Sequence, residues 1–217
     1  MDPVWEDLHA TRAWGKYPAD HLIRTVMRAY WARDDRESAF VLELGCGAGA
    51  NLSFFLAEGF QVYGVDGSPS AIKKCSERLT AAPGQTLDLS AQRFDTLDIP
   101  KDDFDLIVDY FAIYANRLET IRKTYANAKA MLKSGGMFYS RVWGTGCTGA
   151  ATGLIVEPGT SQNPTAGPCK DMGMSHFFTK EELVDLFSDW QSTQITRVLT
   201  EEPDGSMIEE FVIWAKN

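Results

Sequence analysis

Nowhere does the sequence hold anything near the ~20 consecutive apolar residues that span a bilayer, so no transmembrane helix is predicted. The opening stretch MDPVWEDLHATRAWGKYP lacks a basic segment followed by an apolar one, and so does not read as a signal peptide. Histidine is scarce, at three residues, and none pairs with a cysteine at ligand spacing, which argues against zinc. The four cysteines, Cys46, Cys75, Cys147 and Cys169, form no CxxC motif and suit a reduced, cytoplasmic compartment as free thiols. Basic residues are outnumbered, 21 against 30 acidic ones, and a net charge of −9 repels phosphate backbones and disfavours nucleic acid as a partner. The nearest approach to a basic patch is His9, Arg12, Lys16, His21, Arg24 and Arg28. No internal repeat and no low-complexity tract appears. A chain of 217 residues then suits one domain with a sizeable core and room for a cap.

Apolar patterning is regular over most of the length. Leu22, Ile23, Val26, Met27 and Tyr30 recur at helical spacing, so a helix is expected over 19–32. AFVLELG reads as a buried strand, continuous in its apolar character as central parallel strands are. ANLSFFLAEG reads as a helix ended by Gly59, FQVYGVD as a second strand, and SPSAIKKCSERLTAA as a second core helix with Ser68 as N-cap and Pro69 at its first position. A third strand is expected within LDLSAQRFD and a fourth at FDLIVDYF. RLETIRKTYANAKAMLKSGG reads as a long helix stopped by Gly135 and Gly136, followed by a fifth strand at MFYSRVW. From Gly144 to Ser175 periodicity fades, as in a functional lid or a disordered loop. TKEELVDLFSDW starts with a capping box, Thr179 and Glu182, and a staple of Phe178 with Leu183. TQITRVLTEE and SMIEEFVIWAK close the chain as an antiparallel hairpin. The fold class is therefore α/β: a doubly wound, mostly parallel seven-stranded sheet, Rossmann-like, ending in a hairpin.

Gly45, Gly47 and Gly49 lie between the first strand and its helix, where small residues let a ligand press on the main chain and on free N–H donors. Gly45-x-Gly47-x-x-Ala50, with Asp66 about 20 residues on, also satisfies a relaxed dinucleotide fingerprint, so NAD is not excluded by the loop. Three features tilt the choice. Glu43 would repel a pyrophosphate and suits a cationic ligand, or it caps the loop. Asp95 ends the third strand, where an adenine amino group finds an acceptor, though Asp98, Asp102 and Asp103 lie close enough to shift that register. Ordinary dinucleotide domains lack the closing hairpin.

The ordered runs VLELGCGAGAN, VYGVD, RFDTLDIPKDDFDLIVD and AKAMLKSGGMFYSRVW, over roughly residues 38–143, resemble the class I S-adenosylmethionine-dependent methyltransferases of the small-molecule type. The resemblance implies S-adenosyl-L-methionine as cofactor. Gly45, Cys46, Gly47, Gly49 and Asn51 would belong to its loop, with Glu43 ordering that loop. Asp66, beside Gly67, would accept the ribose hydroxyls, and Asp95 the adenine amino group, with Phe94 and Thr96 nearby. Asp109 and Tyr110 would border the sulfonium and the acceptor. Asn51 stands where many relatives carry Thr. DYFAIYAN replaces the Asn/Asp-Pro-Pro-Tyr tetrad of amino methylation on nucleic acids and some proteins.

The implied domain runs 1–217, with a helical lid at 1–37, a cofactor core at 38–143, a substrate-side loop at 144–178 and a closing helix and hairpin at 179–217. The acceptor is expected between residues 5–21, 110–117 and 143–178, against Arg12, Trp14, Tyr17, His21, Tyr114, Arg141, Trp143 and His176. His176, Tyr110 and Arg141 are the candidates for catalysis. Trp5, Trp14 and Tyr17 read as lid packing before substrate stacking, Arg141 also as a surface ion pair, and Cys46 as a small filler and not a nucleophile. The expected activity is methyl transfer to oxygen or nitrogen of a small polar acceptor, a sugar or a carboxylated metabolite, by a monomer or homodimer. A nicotinamide-dependent oxidoreductase, a non-catalytic scaffold and a protein methyltransferase are the alternatives.

Overall fold

The computed structural model describes residues 2–33, 35–99 and 103–217. Asp102, one of the acids that leave the register of Asp95 open, lies outside them. Two helices, α1 (Val4–Thr11) and α2 (Asp20–Tyr30), precede the sheet. β1 (Phe40–Leu44), α3 (Ala50–Ala57), β2 (Gln61–Asp66), α4 (Pro69–Arg78) and β3 (Leu87–Ala91) form one winding. β4 (Phe104–Tyr110), α5 (Leu118–Met131) and β5 (Leu132–Trp143) form the other. Val41, Leu42, Leu44, Leu106, Ile107 and Val108 are wholly buried, because helices cover both faces of these strands.

The seven strands run in the order β3-β2-β1-β4-β5-β10-β9, where β9 is Ser192–Glu201 and β10 is Met207–Lys216. β1 pairs in parallel with both β2 and β4, so the winding reverses between them. Ligands of open α/β sheets lie beyond the carboxyl ends of the strands at such a reversal. The last two strands pair antiparallel, as the closing run of sequence predicts.

α2 lays Leu22, Val26 and Tyr30 into the core beside α3, and Tyr30 donates its hydroxyl to the Asp105 carbonyl at 3.1 Å. Of the N-terminal segment, α1 and the linker after it extend over the open end of the sheet. Ser68 caps α4 by accepting from the Ala71 N–H, with Pro69 at the first position. α5 ends at Met131, before the glycine pair expected to stop it. The backbone of 135–136 is instead drawn into the sheet: the Gly135 N–H donates to the Asn217 carbonyl and the Asn217 N–H to the Gly136 carbonyl, both at 2.9 Å.

The stretch 144–178 is not an irregular lid. It holds a three-stranded antiparallel sheet, β6 (Leu154–Glu157), β7 (Thr160–Gln162) and β8 (Met174–His176), with β7 central. β6 and β7 meet through a Pro158–Gly159 turn. The excursion leaves and returns at one point, where the Phe178 N–H donates to the Trp143 carbonyl at 2.9 Å and the Thr145 N–H to the Phe178 carbonyl at 3.0 Å. Helix α6 (Lys180–Leu186) follows, and Thr179 Oγ1 accepts from the Glu182 N–H at 3.1 Å. The second arm of the expected capping box is redirected, since the Glu182 carboxylate meets His176.

Candidate active site

A cavity of about 410 Å³ opens at the carboxyl ends of β1, β2 and β4, a size typical of small-molecule sites. Its floor is the glycine loop. Gly45 and Gly47 have φ of +78° and +53°, left-handed values that other residues adopt only with strain. The loop is tied to β2, because the N–H groups of Gly45 and Cys46 both donate to the Val65 carbonyl, at 2.7 and 3.0 Å. A side chain on Gly45 would collide with Ala112, at 2.1 Å. Gly47 instead faces open ground, and the nearest atom to an added Cβ would be His9 Cε1 at 3.5 Å.

Asp66 lies in the cavity wall at the end of β2, with Gly67 beside it. Its carboxylate accepts from the Gly47 N–H at 2.9 Å and the Ser68 N–H at 2.8 Å, which fixes its aim. A carboxylate has about four lone-pair sites, so acceptor capacity remains. Burial pushes its pKa above the usual carboxylate value. Phe94 and Asp95 complete this side. Asp95 is held by Arg93 through two bonds of 3.0 Å, and that contact lowers its pKa. Thr96 lies outside the wall.

The opposite wall is aromatic. Phe111 and Trp143 stack with centroids 3.9 Å apart and planes 19° from parallel. Tyr110 meets Phe111 edge-on, and Tyr114 meets Trp143 edge-on. Phe111 sits at φ +54°, a strained value for a bulky residue, as strand β4 turns back towards the loop. Asp109 holds that turn. Fully buried, it accepts from the N–H groups of Ala112 and Ile113 at 3.0 Å and from Ser140 Oγ at 2.6 Å, and burial raises its carboxyl to about 6. Expected to border the sulfonium, Asp109 instead clamps the backbone beneath the cavity.

Several other expected residues are diverted by partners that the sequence conceals. Glu43 is buried behind the loop, where its Oε1 accepts from Asn51 Nδ2 at 2.7 Å. Asn51 Oδ1 in turn accepts from the Ala19 N–H at 3.0 Å, just before α2. Gly49 backs onto Cys75 and Leu79, not the cavity. Arg12 borders a separate shallow hollow with Lys74 and Arg78. His21 Nδ1 meets the Tyr139 hydroxyl at 3.1 Å. Arg141 is ion-paired with Glu210 and donates to the Tyr110 hydroxyl at 3.2 Å. His176 is wholly buried in the cap, with Nδ1 at 2.7 Å from Thr160 Oγ1 and Nε2 at 3.0 Å from Glu182 Oε2. Both of its ring nitrogens are therefore spent on joining β7, β8 and α6, which removes it as acceptor contact or base.

Trp14 and Tyr17 do reach the cavity, and so do Trp5 and His9 from α1, Phe111 and Ala112 from the turn, and Pro168 and Met172 from the cap, all within the three segments expected to hold the acceptor. Trp5 and His9 stand four apart on one helix, a spacing that puts them on one face. The lid is docked by charge. The Glu6 carboxylate accepts from Ser70 Oγ at 2.6 Å and from the Ser68 hydroxyl, and Lys74 donates to the carbonyls of His9 and Arg12. Asp2 accepts from Gln162 Nε2 at 2.8 Å and the Met174 N–H at 3.1 Å, latching the lid to the cap.

These residues fit an adenosine-bearing ligand: an acid with spare lone pairs, a loop whose Gly47 leaves room for close approach, and an apolar far wall. Residues 41–136 match the family model of a methyltransferase domain. Among curated proteins, none matches the chain in sequence. Solved structures share its fold. An S-adenosylmethionine-dependent methyltransferase from Methanosarcina mazei is 20% identical, covering 88% of this chain and 96% of that one, with a TM-score of 0.67. The N-methyltransferase NodS from Bradyrhizobium japonicum, in complex with S-adenosyl-L-homocysteine, is 17% identical over 100% of this chain and 99% of its own, with a TM-score of 0.62. The 1,6-didemethyltoxoflavin-N1-methyltransferase from Burkholderia thailandensis is 17% identical over 94% and 93%, with a TM-score of 0.56. The matched domain, somewhat under half of the chain, and this architecture are consistent with a class I S-adenosylmethionine-dependent methyltransferase.

Proposed function

We propose that the protein methylates a weakly basic nitrogen on a small, flat, uncharged acceptor. One observation carries this reading: the cavity runs from Asp66 and Gly47 to the wall of Tyr110, Phe111, Tyr114 and Trp143, and its one arginine, Arg93, is already taken by Asp95. S-adenosylmethionine supplies a methyl group on positively charged sulfur. The chain's part is to hold the acceptor in line and exclude water, for which orientation can contribute roughly 7–11 kcal/mol in favourable cases. On the acceptor side, burial raises the pKa of both Tyr110 and Tyr114, so their phenols stay protonated and are poor bases. An aryl amine or ring nitrogen is neutral at pH 7 and needs no base, whereas an alkyl hydroxyl does. A sugar or a carboxylated metabolite, expected from the sequence, has less support, because Arg141 faces Glu210 and Arg12 faces another hollow. Two of the similar structures are N-methyltransferases by description, which accords with nitrogen.

Formation of S-adenosylhomocysteine is the test, screened across aryl amines, nitrogen heterocycles, sugars and carboxylates, with NAD binding as the control. Turnover confined to sugars or carboxylates would overturn the nitrogen reading. Arg141→Ala is expected to act on stability, not on acceptor affinity. It strands Glu210, which is largely buried, at a cost of about 2–3 kcal/mol. Glu210→Ala in the same chain should recover part of that loss in a denaturant melt.

A further inference from the structure

Among the described residues, His9 is one of the few whose buried polar atoms find no partner. It is 6% exposed, it lines the cavity, and its Nδ1 is shut away from water without a hydrogen-bond partner. Two indoles flank it, Trp14 at 4.6 Å and Trp5 at 6.4 Å between ring centroids. A buried polar group left unpaired costs stability, and no described residue pairs it. Gly47 links it to Asp66. The Gly47 N–H donates to Asp66 Oδ2 at 2.9 Å, and the place of its missing Cβ lies 3.5 Å from His9 Cε1. Whatever rests on Gly47 within reach of Asp66 therefore lies under the imidazole.

We propose that His9 is a cofactor-binding residue, the lid's own contact to the ribose hydroxyls, opposite Asp66. The inference rests on the assignment of Gly47 and Asp66 to the cofactor. A hydroxyl both donates and accepts, so it satisfies an imidazole in either tautomer while still donating to a carboxylate. Burial lowers the pKa of His9, which keeps the ring neutral at pH 7 and suited to such a partner. The latches at Glu6 and Lys74 hold α1 so that His9 stays over the loop. The lid thus becomes part of the cofactor site and not only a cover for the acceptor.

The test is calorimetry of His9→Phe with S-adenosylhomocysteine and, separately, with adenosine, which keeps the ribose and lacks the amino-acid portion. Phenylalanine preserves packing between the indoles and removes both nitrogens. The dissociation constant for each ligand should rise about fivefold to tenfold, the effect of one hydrogen bond. The ligand-free melting temperature should hold or rise, because an unpaired buried group has gone. His9→Gln, which restores a donor and an acceptor, should recover part of the affinity, and His9→Leu stands in should His9→Phe not fold. Affinities within twofold of wild type for both ligands overturn the proposal, as does a loss confined to S-adenosylhomocysteine. If wild-type protein binds neither ligand, the cofactor assignment itself fails, a result separate from equal binding by wild type and variant.

Discussion

Gly45→Ala is expected to destabilise the protein by about 2–5 kcal/mol and to abolish S-adenosylhomocysteine binding. Two costs add. A left-handed alanine costs roughly 1–2 kcal/mol, and forcing a methyl into packed surroundings about 1–3 kcal/mol. The second arises because the new Cβ would lie 2.1 Å from the Ala112 Cβ, on the turn that Asp109 clamps. Neither side can easily yield: the Gly45 N–H is bound to Val65 and the Ala112 N–H to Asp109. Gly47→Ala should behave differently. With nothing closer than His9 Cε1 at 3.5 Å, it carries only the strain of φ +53°, about 1–2 kcal/mol, yet its methyl occupies the ground a ligand must cross. Its melt should shift modestly while affinity falls tenfold or more. Ala112→Gly should recover the packing part of the loss in Gly45→Ala, not its backbone strain, and leave Gly47→Ala unchanged, because only contacting residues couple strongly. Wild-type affinity in Gly47→Ala would mean that no ligand presses on the loop.

How much of this was legible in the sequence depends on the range of the interactions involved. Strands β1 and β4 are covered on both faces, so burial wrote them as nearly continuous apolar runs, and the Ser68–Pro69 start of α4 is a local capping signal. The small sheet at 154–176 was missed because strands of three or four residues are too short to show a period. Only the Pro158–Gly159 turn marked it. The lid was legible as helix, but its docking was not: Glu6 to Ser68 and Asp2 to Met174 join residues that are 62 and 172 apart in sequence. The same limit governs the acids and bases. Asp66 and Asp109 both end parallel strands, yet the chain after β4 folds back to place two N–H groups on Asp109 and seal it. Arg141 ends a strand at the ligand edge, but β10 brings Glu210 against it. His176 looked free beside a long loop until the cap closed on both its nitrogens.

Removing the ionisable group of Glu43 is expected to change how stability varies with pH more than any surface substitution. Its carboxyl is fully buried, and burial raises its pKa from 4.5 to about 8, against the one bond from Asn51 that favours ionisation. Oε2 has no partner among the described residues, as suits a group that carries a proton in the folded state. The sign follows from linkage. The folded chain keeps this proton where the unfolded chain releases it, so the stabilisation is complete below about pH 4.5 and is lost as pH rises through 8. That gap in pKa corresponds to roughly 5 kcal/mol between the two ends of the window. Asp109, raised to about 6, acts in the same direction over a lower window and accounts for a smaller share. Glu43→Gln keeps an oxygen for Asn51 and cannot ionise. Urea melts from pH 5 to 9 should show wild type weakening steadily, while Glu43→Gln keeps only the shallower fall due to Asp109 and Asp66, and the two proteins should differ most above pH 8. Parallel profiles would show that Glu43 is already ionised in the folded protein, with a charge nearby that balances it.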